Sequence, residues 1–287
     1  MQFPVYVISK GRHESRLTVK ALQKIGIRFR VVIEPQEQDA YAAVIPLENI
    51  LVLPFSNLGQ GSIPARNWVW QHSIDEGHGR HWILDDNIRR FYRLHKNKKY
   101  VMQGDAGFTA IEDFAERYEN LHMAGMQYEL LAPAKNGMTP VVFNTRVYSC
   151  ILLTNKIHHR WRGRYNEDTD LSLRILKNGV CTALVNAFLC DKQCTMTMKG
   201  GNTESLYKLG DEVDGRLLMA QSLQKQHPDV VTIKRRWNRW QHVVDYRPFK
   251  KNKLKRKPGL EIQAGSNEYG MRLIQKPSVS GNTLNGS

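Results

Sequence analysis

The chain has 287 residues, 41% hydrophobic and 9% aromatic, with a formal net charge of +15. That length buries a sizeable core and excludes a mini-protein, and the absence of any apolar run of about 18 residues excludes a helical membrane span. The charge is uneven: eleven Lys or Arg and one acid, Asp245, lie between Lys234 and Lys257, so this block carries ten of the fifteen excess charges and points to a polyanionic partner.

The N-terminal MQFPVYVISKGR has a short apolar run with no basic region before it and no small-residue cleavage site. It does not read as a signal peptide, and cytoplasmic residence is the expectation. The run forms a strand that ends in the polar turn Ser9-Lys10-Gly11-Arg12. Leu17, Ala21, Leu22 and Ile25 follow at helical spacing, with Gly26 closing the helix. RFRVVIEP gives a second strand stopped by Pro35, which completes a β-α-β unit, the building block of a parallel sheet. NILVLPF supplies a third strand, ARNWVWQHSIDEG a helix and HWILDDN a fourth strand. VVFNT (141–145) and YSCILLT (148–154) read as strands, DTDLSLRILKNG as a helix and CTALVNAFLC as a strand.

Composition shifts near Gly200-Gly201 and again at the basic block. The division predicted is a body over 1–205, a basic extension over 206–264 and a Gly, Ser, Asn and Pro-rich tail over 265–287 that is expected to be poorly ordered. The four cysteines, Cys150, Cys181, Cys190 and Cys194, are expected to be free thiols; a Cys190–Cys194 metal pair lacks a second pair to close it.

Chemistry concentrates where the fourth strand ends. Ile83 and Leu84 run into Asp85, Asp86 and Asn87, and adjacent carboxylates repel unless a cation, a proton or solvent relieves them. Ligands of open α/β sheets sit beyond the carboxyl ends of the strands, and oxygen donors there suit Mg²⁺ or Mn²⁺; a turn with Asp85 as a helix cap is the plainer alternative. Arg66 and Asn67, nineteen and eighteen positions earlier, suit a diphosphate and a sugar or base edge. Ser9, Lys10 and Arg12 can receive a nucleotide after the first strand, and Glu34 can accept hydrogen bonds from a ribose or base. Glu167 and Asp168 open the DTDLSLRIL helix, where acids serve either the helix dipole or a proton transfer.

Taken in order, the SKGR turn, Glu34, Ala65-Arg66-Asn67, ILDDN and NEDTDLSLRIL resemble a GT-A-fold glycosyltransferase over roughly residues 3 to 205. The resemblance implies an α/β, GT-A-like (Rossmann-like), mostly parallel sheet with helices on both faces, here with a basic C-terminal extension expected to be helical or irregular. It implies a nucleotide-sugar site at Ser9, Lys10, Arg12, Glu34, Arg66, Asn67, Asp85, Asp86 and Lys199. It also implies a Mn²⁺ or Mg²⁺ at Asp85, Asp86 and Asn87, and a general base at Asp168 or Glu167. Asn87 stands where the usual Asp-x-Asp motif has its second Asp. No metal-binding His of the kind many relatives carry after the Glu-Asp pair can be placed, and Asp191 is the candidate in its stead.

Within that fold the chain most resembles the phage TET-associated glycosyltransferases, which implies transfer of a sugar from a UDP-sugar to 5-hydroxymethylcytosine in DNA, metal-dependent and inverting. Lys199-Gly200-Gly201-Asn202 is a candidate closing loop. The cluster His158-His159-Arg160-Trp161-Arg162-Gly163-Arg164 would line the acceptor side, or be an exposed polar loop. Trp237, Trp240, Tyr246 and Phe249, interleaved with the basic charges, either pack onto the body or stack on bases. Three alternatives stay open: transfer to a surface polysaccharide or protein, nucleotidyl transfer, and nonenzymatic nucleic-acid binding on the same scaffold.

Overall fold

A computed structural model describes residues 1–133, 137–193, 215–236 and 238–260. Apolar runs form strands β1 (Val5–Ile8), β2 (Arg30–Ile33), β3 (Ile50–Val52) and β4 (Arg80–Asp85). Helices α1 (Leu17–Lys24), α2 (Gln38–Ala42) and α3 (Ile63–Asp75) fall between them, and Gly26, at φ 68°, ends the first as expected. Then come the hairpin β5 (Ile88–His95) and β6 (Lys98–Val101), helix α4 (Ala106–Glu116), and strands β7 (Leu121–Tyr128), β8 (Val141–Phe143) and β9 (Cys150–Thr154). Helix α5 (Glu167–Lys177) and strand β10 (Cys181–Lys192) complete the body, followed by α6 (Gly215–Gln226), β11 (Val231–Arg236) and β12 (Arg239–Val244).

The main sheet runs β3-β2-β1-β4-β9-β7-β10-β5-β6, with β8 paired to β10. Seven of its ten strands (β1, β2, β3, β4, β6, β7 and β10) point one way and β5, β8 and β9 the other. Alternate side chains of β4 feed two cores. Trp82 and Leu84 join the α1 and α4 face, while Ile83 joins Trp70 of α3 and Leu171 and Ile175 of α5 on the other. One consequence positions the site: the carboxyl ends of β1, β4, β7 and β10 meet the amino end of antiparallel β9 along one edge. Gly125 of β7 permits that neighbourhood, since a Cβ there would sit 2.2 Å from the Cys150 carbonyl oxygen.

The C-terminal extension holds a helix, as expected, but its basic block begins in a two-stranded antiparallel hairpin, β11 paired to β12, and only after Val244 continues as a 3-10 turn, Arg247–Lys251, and irregular chain. The dense charge hides the alternation that puts Val231 and Val244 inward. With Leu223, Tyr246 and Phe249 they pack on Leu173 and Leu176 of α5. Asn144 donates to the Phe249 and Asn252 carbonyls, and Asn252 to those of Leu176 and Val180, so this segment is stitched to the body. Cys150, Cys181 and Cys190 are buried free thiols, as expected. Cys194, the 199–202 loop, Trp237, the expected boundary near 205 and the tail from 265 lie outside the described residues. Among the described residues no helix is long and apolar enough to cross a membrane.

Candidate active site

The turn after β4 is fixed by Thr18 at the start of α1. Its hydroxyl donates to the Asp85 carbonyl at 2.6 Å and accepts from the Ile88 amide at 2.9 Å. This holds Asp85, Asp86 and Asn87 at the strand end with their side chains diverging into different neighbourhoods.

Asp85 lies at the centre. Its Oδ1 accepts from Arg66 Nη2 at 2.8 Å, and its Oδ2 from Ser149 Oγ at 2.6 Å and Lys192 Nζ at 2.7 Å. Asp86 turns toward the first strand, where it accepts from Ser9 Oγ at 2.9 Å and from the Arg12 guanidinium. Ser9 in turn accepts from Tyr41 at 2.6 Å. Beyond it Lys10 Nζ donates to Glu34 Oε2 at 2.7 Å and Asn57 Oδ1 at 3.1 Å. On the opposite side Arg66, 3% exposed, lies 3.4 Å from Asp168 and 3.8 Å from Glu167 at the first turn of α5. The structure therefore assembles, from residues 9 to 192, a site in which one buried guanidinium, Arg66, bridges Asp85 on one side to Glu167 and Asp168 on the other.

A sequence profile of the TET-Associated Glycosyltransferase family matches residues 3–201. The chain belongs to that family. No curated protein matches it by sequence. Among solved structures it is similar to a protein described as a nucleotide-diphospho-sugar transferase from Desulfovibrio desulfuricans G20, at 10% identity and a TM-score of 0.36, over 61% of this chain and 76% of that one.

In this glycosyltransferase the electrostatics separate the carboxylates. Burial pushes Asp85 up, but Lys192 and Arg66 more than reverse this and hold it well below the usual carboxylate range. Asp86 is raised by burial despite Arg12. Asp168 is pushed up to about 7 by burial, with Arg66 opposing and Glu167 and Asp85 adding repulsion. One guanidinium faces three carboxylates, and the Oδ1 of Asp168 has no hydrogen-bond partner among the described residues. Glu34 is lowered, because Lys10, Gln36 and the Asn57 amide outweigh its burial.

Several expected site residues stand elsewhere. Asn67, expected to suit a sugar or base edge, spends its amide on the backbone of Trp161: it donates to the Trp161 carbonyl at 2.9 Å and accepts the Trp161 amide at 2.8 Å. The 158–164 segment is a loop with His158, Arg162, Gly163 and Arg164 exposed but with its centre anchored in the body. Trp161 is buried against Trp70 and Arg66, Arg160 lies over Trp70, and Arg162 pairs with buried Asp170. Asp191 is paired with Arg89 at 2.7 Å, on the β5 side. Lys199 lies outside the described residues.

The divalent cation implied by the GT-A resemblance does not fit these donors. Both oxygens of Asp85 and of Asp86 are taken by cationic or hydroxyl partners, and of the three strand-end side chains only the Asn87 Oδ1 is buried with no partner among the described residues. Among the described residues no three His, Cys, Asp or Glu side chains are grouped to hold a metal ion. A neutral amide oxygen beside three fixed cations is a poor beginning for a hard dication.

Sequence reasoning missed Lys192, Ser149 and Tyr128. Tyr128 ends β7, and its hydroxyl meets Ser149 Oγ at 2.6 Å and Lys192 Nζ at 3.4 Å. None has a local motif. Each is identified by ending or preceding a strand at the edge where β4 ends, which only the strand order reveals.

Proposed function

We propose that this glycosyltransferase moves a sugar from a UDP-sugar to the hydroxyl of 5-hydroxymethylcytosine in DNA, with inversion. The observation that carries the reading is a groove of about 1010 Å³ that begins at the site and ends on the basic hairpin. Its inner wall holds Tyr128, Tyr148 and Lys192, and its outer wall Arg236, Arg239 and Trp240. Tyr128 and Tyr148 stack with centroids 5.3 Å apart, and Arg146 lies over Tyr148 at 4.8 Å. Aromatic faces beside guanidinium groups suit an unstacked base and its phosphates. The family description, which associates these enzymes with TET proteins, agrees with a hydroxymethylated cytosine.

In this reading the nucleoside lies over Lys10 and Glu34, the diphosphate faces Arg12, Arg66 and Lys192, and Asp85 and Asp86 orient those cations. The acceptor oxygen attacks the anomeric carbon as the bond to the diphosphate breaks. The electron pair leaves on UDP, and the acceptor proton passes to Asp168, with Glu167 beside it. A single displacement inverts the anomeric centre.

The test incubates the protein with a panel of UDP-sugars and duplexes containing cytosine or 5-hydroxymethylcytosine, then weighs the digested nucleosides. A hexose or N-acetylhexosamine mass on the modified base alone is expected. No addition from any donor, with UDP release indifferent to DNA, refutes the acceptor.

A further inference from the structure

The disagreement between the donor set and a divalent cation has a positive side, which is where Lys192 reaches. It ends β10, two strands removed from β4 in the sheet order β4-β9-β7-β10. Its side chain crosses the ends of β7 and β9 and delivers the ammonium to Asp85 Oδ2 at 2.7 Å and Ser149 Oγ at 2.8 Å, 5.6 Å from the Tyr128 ring centre. A long side chain held by a carboxylate, a hydroxyl and an aromatic face is a placed charge, not a solvated one. It also lines the groove, with 19% of the side chain exposed, so a ligand there meets it directly.

The register explains why this residue and not its neighbour does so. The pairing of β10 with β5 shifts between Asp191 and Lys192, so that Asp191 faces Arg90 but Lys192 faces Ile88. Asp191, a possible metal ligand, goes to Arg89, while the cation goes to the site. On the other flank Arg66 and Arg12 each hold one of the two strand-end aspartates. The three cations thus surround the carboxylates from three separate elements, and a protonated ammonium cannot itself ligate a metal.

We infer that Lys192, backed by Arg66 and Arg12, supplies the positive charge at the departing diphosphate, and that this glycosyltransferase binds its donor and turns over without a divalent cation. The inference rests on the nucleotide-diphosphate donor proposed above but not on the DNA acceptor. Fixed cations aimed at a developing oxyanion can replace a Lewis acid, because either one stabilises charge that exists only as the bond breaks.

The test is calorimetric titration of UDP into protein dialysed against EDTA and, in parallel, into protein with Mn²⁺. The wild type is expected to bind with affinities within about threefold of each other. Lys192→Met is expected to bind at least about tenfold more weakly in both buffers, and Lys192→Arg to keep most of the affinity. UDP release from a UDP-sugar in EDTA should fall on the order of 10²-fold in Lys192→Met. Binding that requires Mn²⁺ overturns the inference, as does Lys192→Met binding like the wild type, or a folded Lys192→Arg that binds no better than Lys192→Met. A wrong acceptor reads differently: the nucleoside masses stay unchanged while the metal-free UDP titration behaves as stated.

Discussion

Replacing Asp168 with Asn tests the assignment of the base through its pH dependence. The carboxyl is half-buried at the first turn of α5, 3.4 Å from Arg66 Nη1, and is pushed up to about 7 by desolvation, Glu167 and Asp85 against the pull of Arg66. A general base acts as the carboxylate, so activity must rise with pH. With that midpoint about a tenth is ionised at pH 6 and about nine tenths at pH 8, which predicts a roughly tenfold rise in kcat/KM between them. Asp168→Asn should lower kcat by on the order of 10²–10⁴ and abolish that limb. The stability sign follows from the same shift. A carboxyl raised above its unfolded value favours the native state at low pH, and this contribution is lost as pH rises from about 4 through about 7, by on the order of 4 kcal/mol. The Asn variant should show a flatter stability profile over that window. The assay is UDP release with acceptor from pH 5.5 to 8.5, with urea unfolding at each end. A wild-type limb centred near 4, or an unchanged limb in Asp168→Asn, refutes the assignment.

Other perturbations have equally definite outcomes. Arg66→Ala leaves Asp85, Glu167 and Asp168 facing one another without their shared cation, and should cost about 3–5 kcal/mol in urea unfolding besides activity. Asp170, fully buried and held by His227, Arg162 and Arg174, is lowered to about 2 despite burial. Its contribution is present above about pH 4 and is lost as pH falls toward 2, on the order of 2 kcal/mol, which acid titration of Asp170→Asn against the wild type would show. Arg236→Ala with Arg239→Ala should weaken DNA binding and reduce the slope of log K against log salt by about 2, with UDP affinity unchanged. Gly125→Ala should destabilise by about 1–3 kcal/mol, because its Cβ meets the Cys150 carbonyl and Val147.

Residues 1–87 and 141–190 were legible because local signals and tertiary demand agree there, whereas α4 and β7 between them were not read. VYVI, RVVI and HWIL are continuous apolar runs that a two-sided sheet buries, and the acids at Glu167 and Asp168 sit at a helix start. The same reading passed over the β5–β6 hairpin. Its turn places Lys96 and Asn97 at φ 47° and 60°, a conformation usually marked by Gly, and its strands carry five Arg or Lys. Charge hid β11 and β12 in the same way. At the site, the residues visible in sequence were those in short motifs. Lys192, Ser149 and Tyr128 depend on β9 lying antiparallel between β4 and β7, and its pairing with β4 joins residues more than sixty positions apart, which no window of sequence contains.

That distinction bears on how the site and the extension work together. The family profile ends at residue 201, whereas the groove has one wall from β7, β8, β10 and the segment before β9 and the other from β11 and β12. The extension is tied to the helix that carries Asp168: His227 Nε2 donates to Asp170 Oδ1 at 2.8 Å, two residues along α5, and Asn166, which precedes the helix with φ 54°, donates to the Met219 carbonyl of α6. Asn166 itself lines the groove. Seating the hairpin therefore fixes the outer wall and the amino end of α5 through the same contacts. A variant that loosens α6, such as His227→Ala, should impair transfer to the acceptor more than it impairs UDP binding, because among the described residues the hydrogen-bond partners of Lys10, Glu34 and Asp86 all lie in the body. Equal loss of both would mean that the extension merely stabilises the body.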